Sequence, residues 1–190
     1  MLFRSRFPPE GIRAGLAQLD PEETRHLCRV LRLGVGDRVA VGDGRGRNWE
    51  AVVQSLEAGG AVLRLERELA PWGESPLKLA LGIGLAKGDT LDLVIRQAVE
   101  MGVKEIFPFV SERSEKSPPE RTGRRLSRWQ RLARESLKSC QRSCLPTIHA
   151  PQEFAAALAG PEEVKLLFWE EERGGALAAQ LLAGGGDLPR

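Results

Sequence analysis

The hydrophobic positions in the first part of the chain form short β-like runs. Such runs occupy residues 38–42, 48–56 and 61–66, and the turn-forming segments 43–46 and 58–60 separate them. Short apolar runs interrupted by Gly-containing turns are typical of antiparallel strands. Several short strands around tight turns predict a small β-barrel over residues 1–70.

One helix interrupts these strands, at residues 22–33. Asp20 is a favourable N-cap residue, Pro21 suits the first helical position, and acidic residues follow in the first turn. Gly34 is the predicted stop signal.

Three arginines of this helix share one face. Arg25, Arg29 and Arg32 are spaced i, i+4 and i+7, which brings their side chains together on a regular α-helix. Arginine pairs bidentately with phosphate oxygens, so the row predicts contacts to an RNA backbone. A solvated face is the alternative interpretation. His26 lies beside the row and could stack on a base or contact phosphate, or simply pack at the surface.

Residues 71–76 are predicted to be a linker, because two prolines and a glycine in six residues interrupt regular hydrogen bonding. Beyond it, in residues 77–190, strand-like and helix-like patterns alternate. Strands are predicted at 77–85, 103–110, 147–149 and 164–169, and helices at 89–101, 123–143, 152–159 and 175–183. This alternation predicts a parallel sheet covered on both faces. The fold class is therefore α+β, with a β-barrel followed by an α/β domain.

The longest predicted helix, 123–143, has two faces at about 100° per residue. Its apolar face contains Leu126, Trp129, Ala133, Ser136, Leu137, Cys140 and Cys144. Its opposite face contains Arg124, Arg128, Arg131, Lys138 and Arg142. We expect the two cysteines to be small core residues rather than a metal or reactive pair. The basic face is either an RNA footprint or a solvated exterior; the nearby Arg113, Lys116 and Arg121 favour RNA.

Composition excludes several classes of protein. The net charge is +2, yet residues 111–145 contain ten Lys and Arg against four Glu. Three cysteines without zinc-site spacing predict no metal and a reducing, cytoplasmic location. No apolar stretch approaches the length of a membrane span. The strand-to-helix turn at Lys87 lies where α/β proteins bind ligands, but Gly-rich nucleotide fingerprints are missing, and two histidines give a hydrolase triad little support.

Four short motifs follow one another between residues 26 and 146. They are His26-Leu27-Cys28-Arg29-Val30-Leu31-Arg32 with Gly36-Asp37 and Asp43-Gly44; Lys87-Gly88-Asp89 with Ala98-Val99-Glu100-Met101-Gly102-Val103; Ser111-Glu112-Arg113-Ser114 after Pro108; and Arg128-Trp129 with Glu135, Arg142 and Pro146. In this order and spacing the sequence resembles the RsmE-type methyltransferases. That family modifies a uracil N3 in 16S ribosomal RNA of the small subunit, using S-adenosyl-L-methionine.

The resemblance implies a PUA-like RNA-binding barrel, a SPOUT α/β domain of the trefoil-knot type, and a homodimer in which the second subunit completes the active site. RNA contacts are expected from Arg25, His26, Arg29, Arg32, Lys87, Arg124 and Arg128. Catalytic arginines are expected at Arg113 and Arg142. Cofactor contacts are expected at Phe168, Trp169 and Glu170. The alternatives are a non-catalytic ribosomal RNA-binding module and a SPOUT relative that methylates another RNA position.

The family's knot-forming segments lie beyond Arg190. We therefore expect this chain to be an incomplete version of a longer protein that cannot hold S-adenosylmethionine tightly by itself. Uracil N3 carries a proton at neutral pH, so a site must remove it and stabilise the resulting charge, a task suited to arginine. Candidate bases are Glu100, Glu112, Glu170 or water.

Overall fold

The computed structural model of the chain describes residues 4–6, 12–13, 15–71, 73–86, 89–112, 114, 119–161 and 164–168. Ten strands and four α-helices are assigned among them. In chain order they are β1 (Arg4–Arg6), β2 (Ile12–Arg13), β3 (Leu16–Gln18), α1 (Pro21–Arg25), β4 (Arg38–Gly42), β5 (Asn48–Glu57), β6 (Gly60–Leu69), β7 (Ala80–Gly84), α2 (Thr90–Glu100), β8 (Glu105–Val110), α3 (Pro119–Cys140), β9 (Thr147–Ile148), β10 (Gln152–Glu153) and α4 (Phe154–Ala157).

The first sheet has six strands in the order β1-β4-β5-β6-β3-β2. Neighbours are antiparallel except β1 and β4, which run parallel. Alternate side chains of β4, β5 and β6 point inward around Leu27 and Trp49 and form one apolar cluster. The strand predictions at 38–42, 48–56 and 61–66 are confirmed. The predicted barrel needs correction, because β1 and β2 are opposite edges and the sheet is not closed within the described residues.

The hairpin between β5 and β6 needs glycine at the first residue of β6. Gly60 has φ +129°, and a Cβ atom placed there would lie 1.9 Å from the Leu19 carbonyl oxygen. The hairpin is also bonded to α1, because the Ala61 amide donates to Thr24 Oγ1 over 2.8 Å.

The predicted first helix starts as expected but changes type. Asp20 caps it by accepting from the Glu23 amide over 2.8 Å, and Pro21 occupies the first turn. After Arg25 the chain forms a π-helical turn over His26–Val30, which keeps Leu27 fully buried. The continuous α-helix predicted to Leu33 is therefore wrong: the wider turn changes the angular spacing, and Arg32 (φ +57°) lies beyond the helix.

The second sheet is parallel throughout, as predicted. Strand β8 lies in the middle, with β7 on one side and β9 and β10 on the other. Helices α2 and α3 pack on one face, where Ile95, Ile106, Trp129 and Leu137 form the centre of a second apolar cluster. The buried face of α3 agrees with the predicted one.

The rest of the second half differs from the sequence-based prediction. The helix predicted at 152–159 begins as strand β10 and is helical only over α4. Residues 164–168 form no strand, so that part of the strand predicted at 164–169 is wrong. The helix predicted at 175–183 lies outside the described residues. Among those that are described, no helix has the length and apolar content needed to cross a membrane.

Candidate functional site

The sheet face away from α2 and α3 bears a cleft of about 310 Å³. Side chains alternate along a strand, so Leu81 and Ile83 pack towards the helices while Ala80, Gly82 and Gly84 face the cleft. Because Gly82 and Gly84 have no side chain, the ring of Phe109 on β8 lies over β7, with ring carbons 3.9 and 3.5 Å from the positions that Cβ atoms on these glycines would take. The cleft therefore has a flat apolar floor that reaches the carboxyl edge of the sheet.

The walls of the cleft are also apolar. The rings of Phe109 and Phe154 lie 5.0 Å apart between centroids, tilted by 55°. Residues 164–168 form the opposite wall, including Phe168, which is 80% exposed. The ammonium group of Lys165 donates to the carbonyls of Leu158 and Gly160 at 2.8 and 2.7 Å, which holds this wall against α4. An aromatic ring system such as adenine fits such a floor by stacking.

Phe168, predicted to contact the cofactor, lines the wall of this cleft, and its role stays a prediction. Trp169 and Glu170, predicted for the same purpose, lie outside the described residues, as do Lys87 and the predicted catalytic Arg113. Most of the described residues that line the cleft are apolar and offer a surface for a ring, and Lys165 is the one charged residue among them.

Charged groups from α2 and α3 converge beside the carboxyl end of β7. Arg125 Nη2 donates to the Ala86 carbonyl over 3.1 Å, and its guanidinium lies 5.4 Å from the centre of the Trp129 ring. Arg128, predicted to contact RNA, forms ion pairs with Asp89 (3.1 Å) and Asp92 (2.5 Å). Sequence reasoning missed Arg125, although its i, i+4 spacing from Trp129 was an available signal.

The arginines around the first helix are exposed. Arg25, Arg29 and Arg32 all reach solvent, and none lies within ion-pair distance of a carboxylate belonging to the described part of the chain. His26 is half-buried at the start of the π-helical turn. The structure therefore gives three available guanidinium groups on one short segment, without the regular helical row that the sequence predicted.

A basic face of α3 adjoins this segment. Lys138 Nζ contacts Glu23 Oε1 of α1 at 2.6 Å. Arg131 and Arg124 lie seven and fourteen residues before Lys138, so they lie on nearly the same side of α3. Each interval of seven residues covers about 10.5 Å of helix. The exposed arginines around α1 and those on α3 therefore lie on neighbouring elements, one in each half of the chain.

Two residues predicted for the outer basic face of α3 point inward instead. Lys138 is mostly buried against Glu23, and Arg142 is 2% exposed. The reason is that α3 ends at Cys140 and Gln141 has φ +64°, so the angular rule of a helix no longer applies at residue 142.

Arg142 belongs to a buried contact between the two halves. Its Nη1 donates to the Val99 carbonyl (2.6 Å) and its Nη2 to Glu74 Oε2 (2.9 Å). Glu74 Oε1 accepts from the amides of Ser143 and Cys144, at 2.9 and 2.8 Å, and its carboxylate also pairs with Lys104. The catalytic role predicted for Arg142 stays a prediction, but these donors are committed within the chain.

Electrostatics at this contact follow from its geometry. Burial alone would raise the pKa of Glu74, but hydrogen bonds from Arg142, Lys104 and the two amides outweigh burial and lower the pKa to about 2. Burial, followed by the negative charge of Glu74, raises the pKa of the Cys144 thiol. Cys140 packs partly buried against the second apolar cluster.

The fold and site define a two-part α/β protein with an arginine-rich surface on one half and an apolar cleft on a parallel sheet in the other. Two family models match this division. An RNA methyltransferase PUA domain matches residues 19–66, and an RNA methyltransferase domain matches residues 73–184. The chain belongs to the RNA methyltransferase family, which confirms the resemblance to RsmE-type enzymes.

Individual relatives agree with this assignment. Ribosomal RNA small subunit methyltransferase E of Synechocystis sp. is 34% identical over 88% of this chain and 54% of its own length. The Bacillus subtilis protein of the same name is 24% identical over 83% of this chain and 63% of its own. The chain thus spans between half and two thirds of the length of these relatives.

Solved structures share the fold. Ribosomal RNA small subunit methyltransferase E of Neisseria gonorrhoeae, bound to S-adenosyl methionine, superimposes with a TM-score of 0.77 at 28% identity, covering 86% of this chain and 67% of that one. A Legionella pneumophila protein in complex with the same cofactor gives a TM-score of 0.77 at 25% identity, covering 87% and 69%.

Proposed function

We propose that this protein methylates uracil N3 in 16S ribosomal RNA, with S-adenosyl-L-methionine as the methyl donor. The observation that carries the proposal is the pairing of an apolar, ring-sized cleft with exposed arginines in a fold shared with cofactor-bound relatives. Residues 1–70 would form a PUA-like RNA-binding domain, and residues 77–190 would belong to a SPOUT methyltransferase domain of the trefoil-knot type. We further propose that the protein acts as a homodimer in the cytoplasm.

The cleft suits the adenine end of the cofactor. The Phe109 ring lies over Gly82 and Gly84 and offers an apolar surface, and Phe168 borders the opening. Phe107 also lines the cleft, with its ring stacked on that of His149 at 4.2 Å between centroids. The bound cofactor supplies an electrophilic methyl group on a sulfonium. We assign Trp169 and Glu170 to the same site because they follow Phe168 directly in the sequence.

The uracil must be deprotonated at N3 and its charge stabilised. Arg113 is the favoured arginine, since it comes three residues after the end of β8 in the sequence, whereas Nη1 and Nη2 of Arg142 already donate to Val99 and Glu74. Among the candidate bases, Glu112 is exposed just beyond the carboxyl end of β8. Glu100 lies at the end of α2, where Ser136 contacts its carboxylate at 3.5 Å on the helix side of the sheet.

RNA would be held by exposed arginines of both halves. Arg25, Arg29 and Arg32 contribute from the first half and Arg124 from α3, with His26 and Lys87 as further contacts. Arg128 is already paired with two aspartates, so its contribution to phosphate binding should be weaker. Extruding the target base costs a few kcal/mol, least in a loop or a partly assembled subunit.

The RNA surface can be tested by salt dependence. Replacing Arg25, Arg29 and Arg32 with Ala should weaken binding to small-subunit RNA and reduce the slope of log K against log[salt] by about 2, since each lost phosphate contact removes about 0.7 to 0.9. The matched control replaces three arginines of the β-sheet that already pair with glutamates, Arg38, Arg64 and Arg67. An unchanged slope in the first variant would mean that its arginines only face water.

The chemistry is tested by transfer of labelled methyl from S-adenosylmethionine to small-subunit RNA or particles by the full-length protein. We expect the label on N3 of a uridine. RNA binding without transfer would favour a non-catalytic module, and mass mapping of the labelled nucleoside would identify a relative that modifies another position.

A further inference from the structure

The two halves of the chain meet at a buried contact that the proposed chemistry does not use. Its centre is Glu74, in the segment predicted to be a linker. Among the described residues, the Glu74 carboxylate contacts four groups of the second half: Lys104, Arg142 and the amides of Ser143 and Cys144. Residues 71–76 are thus bonded to the methyltransferase half rather than serving as a loose tether.

The loop between β4 and β5 docks on the same turn. Gly46 donates its amide to the Ser143 carbonyl over 3.2 Å, and the Leu145 amide donates to the Gly44 carbonyl over 2.8 Å. Asn48 Nδ2 donates to Ser143 Oγ over 2.7 Å, and both side chains are buried. We call the contacts among residues 43–48, 74 and 141–145 the joint.

The joint has a geometry that resists rotation of one half against the other. Backbone hydrogen bonds run across it in both directions, and Arg142 connects it to the end of α2 through the Val99 carbonyl. A buried ion pair is weak evidence for stability, because desolvation offsets its attraction. Its hydrogen bonds are directional, however, so it fixes orientation even where it adds little free energy.

We propose that Glu74 and Arg142 are positioning residues that hold the arginine-bearing half at a set angle to the methyltransferase half, so that RNA bound by Arg25, Arg29 and Arg32 presents its target base to the cleft. This inference rests on the proposed function. It assigns Arg142 a task away from the reacting atoms and gives residues 71–76 a specific role in substrate presentation.

The test compares Glu74→Gln with wild type in the full-length protein. The amide keeps the shape of the side chain but removes its charge, so Arg142 loses its ionic partner. Hydrogen exchange should be at least tenfold faster at the Gly46 and Leu145 amides, while exchange within the β5–β6 ladder and within α2 stays within threefold of wild type. The affinity for small-subunit RNA should fall at least fivefold.

The kinetic readout separates positioning from general damage. In methyl transfer, KM for RNA should rise at least fivefold, while KM for S-adenosylmethionine stays unchanged. Glu50→Gln is the matched control, because Glu50 pairs with Arg38 and Arg67 inside the first sheet, and none of these three residues belongs to the joint. This control should leave exchange at Gly46 and Leu145, as well as both KM values, at wild-type levels.

Two results would overturn the proposal: wild-type exchange at the joint in Glu74→Gln, or a loosened joint with unchanged RNA affinity and KM. If Glu74→Gln fails to fold, Ser143→Ala replaces it. This variant removes the hydroxyl that accepts from Asn48 Nδ2 and keeps the ion pair between Glu74 and Arg142, and the same two results would overturn the proposal. If the wild-type protein binds no small-subunit RNA, both the proposed function and the role of the joint in presenting RNA are overturned. The hydrogen-exchange rates would still show whether Glu74 holds the joint.

Discussion

Replacing Gly60 by Ala should be among the most damaging single changes in the first sheet. Its φ of +129° costs a non-glycine residue about 1–3 kcal/mol. The new Cβ would lie 1.9 Å from the Leu19 carbonyl oxygen and 3.1 Å from its carbon, so backbone must move. That movement disturbs the hydrogen bond from the Leu19 amide to the Ala61 carbonyl (2.9 Å), worth about 1 kcal/mol. We expect a total loss of about 3–5 kcal/mol in the free energy of unfolding.

The neighbouring glycine is the matched control for this change. Gly59 has a φ outside the left-handed region, and the atom nearest to its hypothetical Cβ is Gln18 Nε2 at 3.5 Å. Gly59→Ala should therefore change the free energy of unfolding by no more than about 1 kcal/mol, in either direction. Urea unfolding followed by circular dichroism measures both variants. A loss below about 1 kcal/mol for Gly60→Ala, or equal losses for the two, would refute the reasoning.

Two further predictions concern the second half. The depressed pKa of Glu74 adds stability that is complete above pH 4.5 and is lost as the pH falls towards 2. The shift corresponds to at most about 3 kcal/mol, and solvent screening of the partly exposed carboxylate reduces this to about 1–2 kcal/mol. The stability gap between wild type and Glu74→Gln should narrow over that pH range in urea titrations; a constant gap would contradict the assignment. Trp129→Ala should lower the free energy of unfolding by about 3–5 kcal/mol, because the Trp129 side chain is 1% exposed within the second cluster. The control Gln130→Ala changes an exposed neighbour and should lower it by less than about 0.5 kcal/mol. Thermal unfolding midpoints that are nearly equal for the two variants would contradict the packing of Trp129.

Local pattern was enough to predict much of the fold. Short β-like runs between turn-forming segments predicted β4, β5 and β6, and the succession of strands and helices predicted the parallel sheet. The 100° periodicity of α3 predicted the burial of Trp129, Ala133 and Leu137, because a helix packed along one side satisfies the same angular rule throughout. The N-cap at Asp20 was readable because capping depends on residues three positions apart.

The failures occur where distant residues decide the conformation. Nothing local signals the π-helical turn at His26–Val30, which accompanies complete burial of Leu27 in the first cluster. Lys138 turns inward because Glu23 lies beside it, 115 positions earlier in the sequence. Arg142 is similarly drawn in by Glu74, 68 positions away. A run of basic residues predicts solvent exposure, but a carboxylate that the fold brings close can draw a basic side chain inward.

The roles assigned to the candidate site residues stay predictions. Phe168 was expected at the end of a strand facing the cofactor, whereas it lines the cleft from a segment that forms no strand. Arg25, Arg29, Arg32 and Arg124 are exposed. The floor of the cleft was not predicted, because it depends on glycines of β7 lying beside aromatic residues of β8. Pairing between strands sets that register, and a single sequence does not contain it.

The chemistry of the joint also bears on how this chain tolerates mutation. Apart from Lys104, Glu74 and Arg142 bond to one another and to main-chain groups at positions 99, 103, 143 and 144. Amide hydrogens occur in every amino acid except proline, and carbonyl oxygens in all of them. The identities of those neighbours can therefore drift with little effect on these hydrogen bonds, so long as proline is avoided at 143 and 144. A change at Glu74 or Arg142, in contrast, strands a charge in the interior, which makes these two positions the natural places to look for covariation.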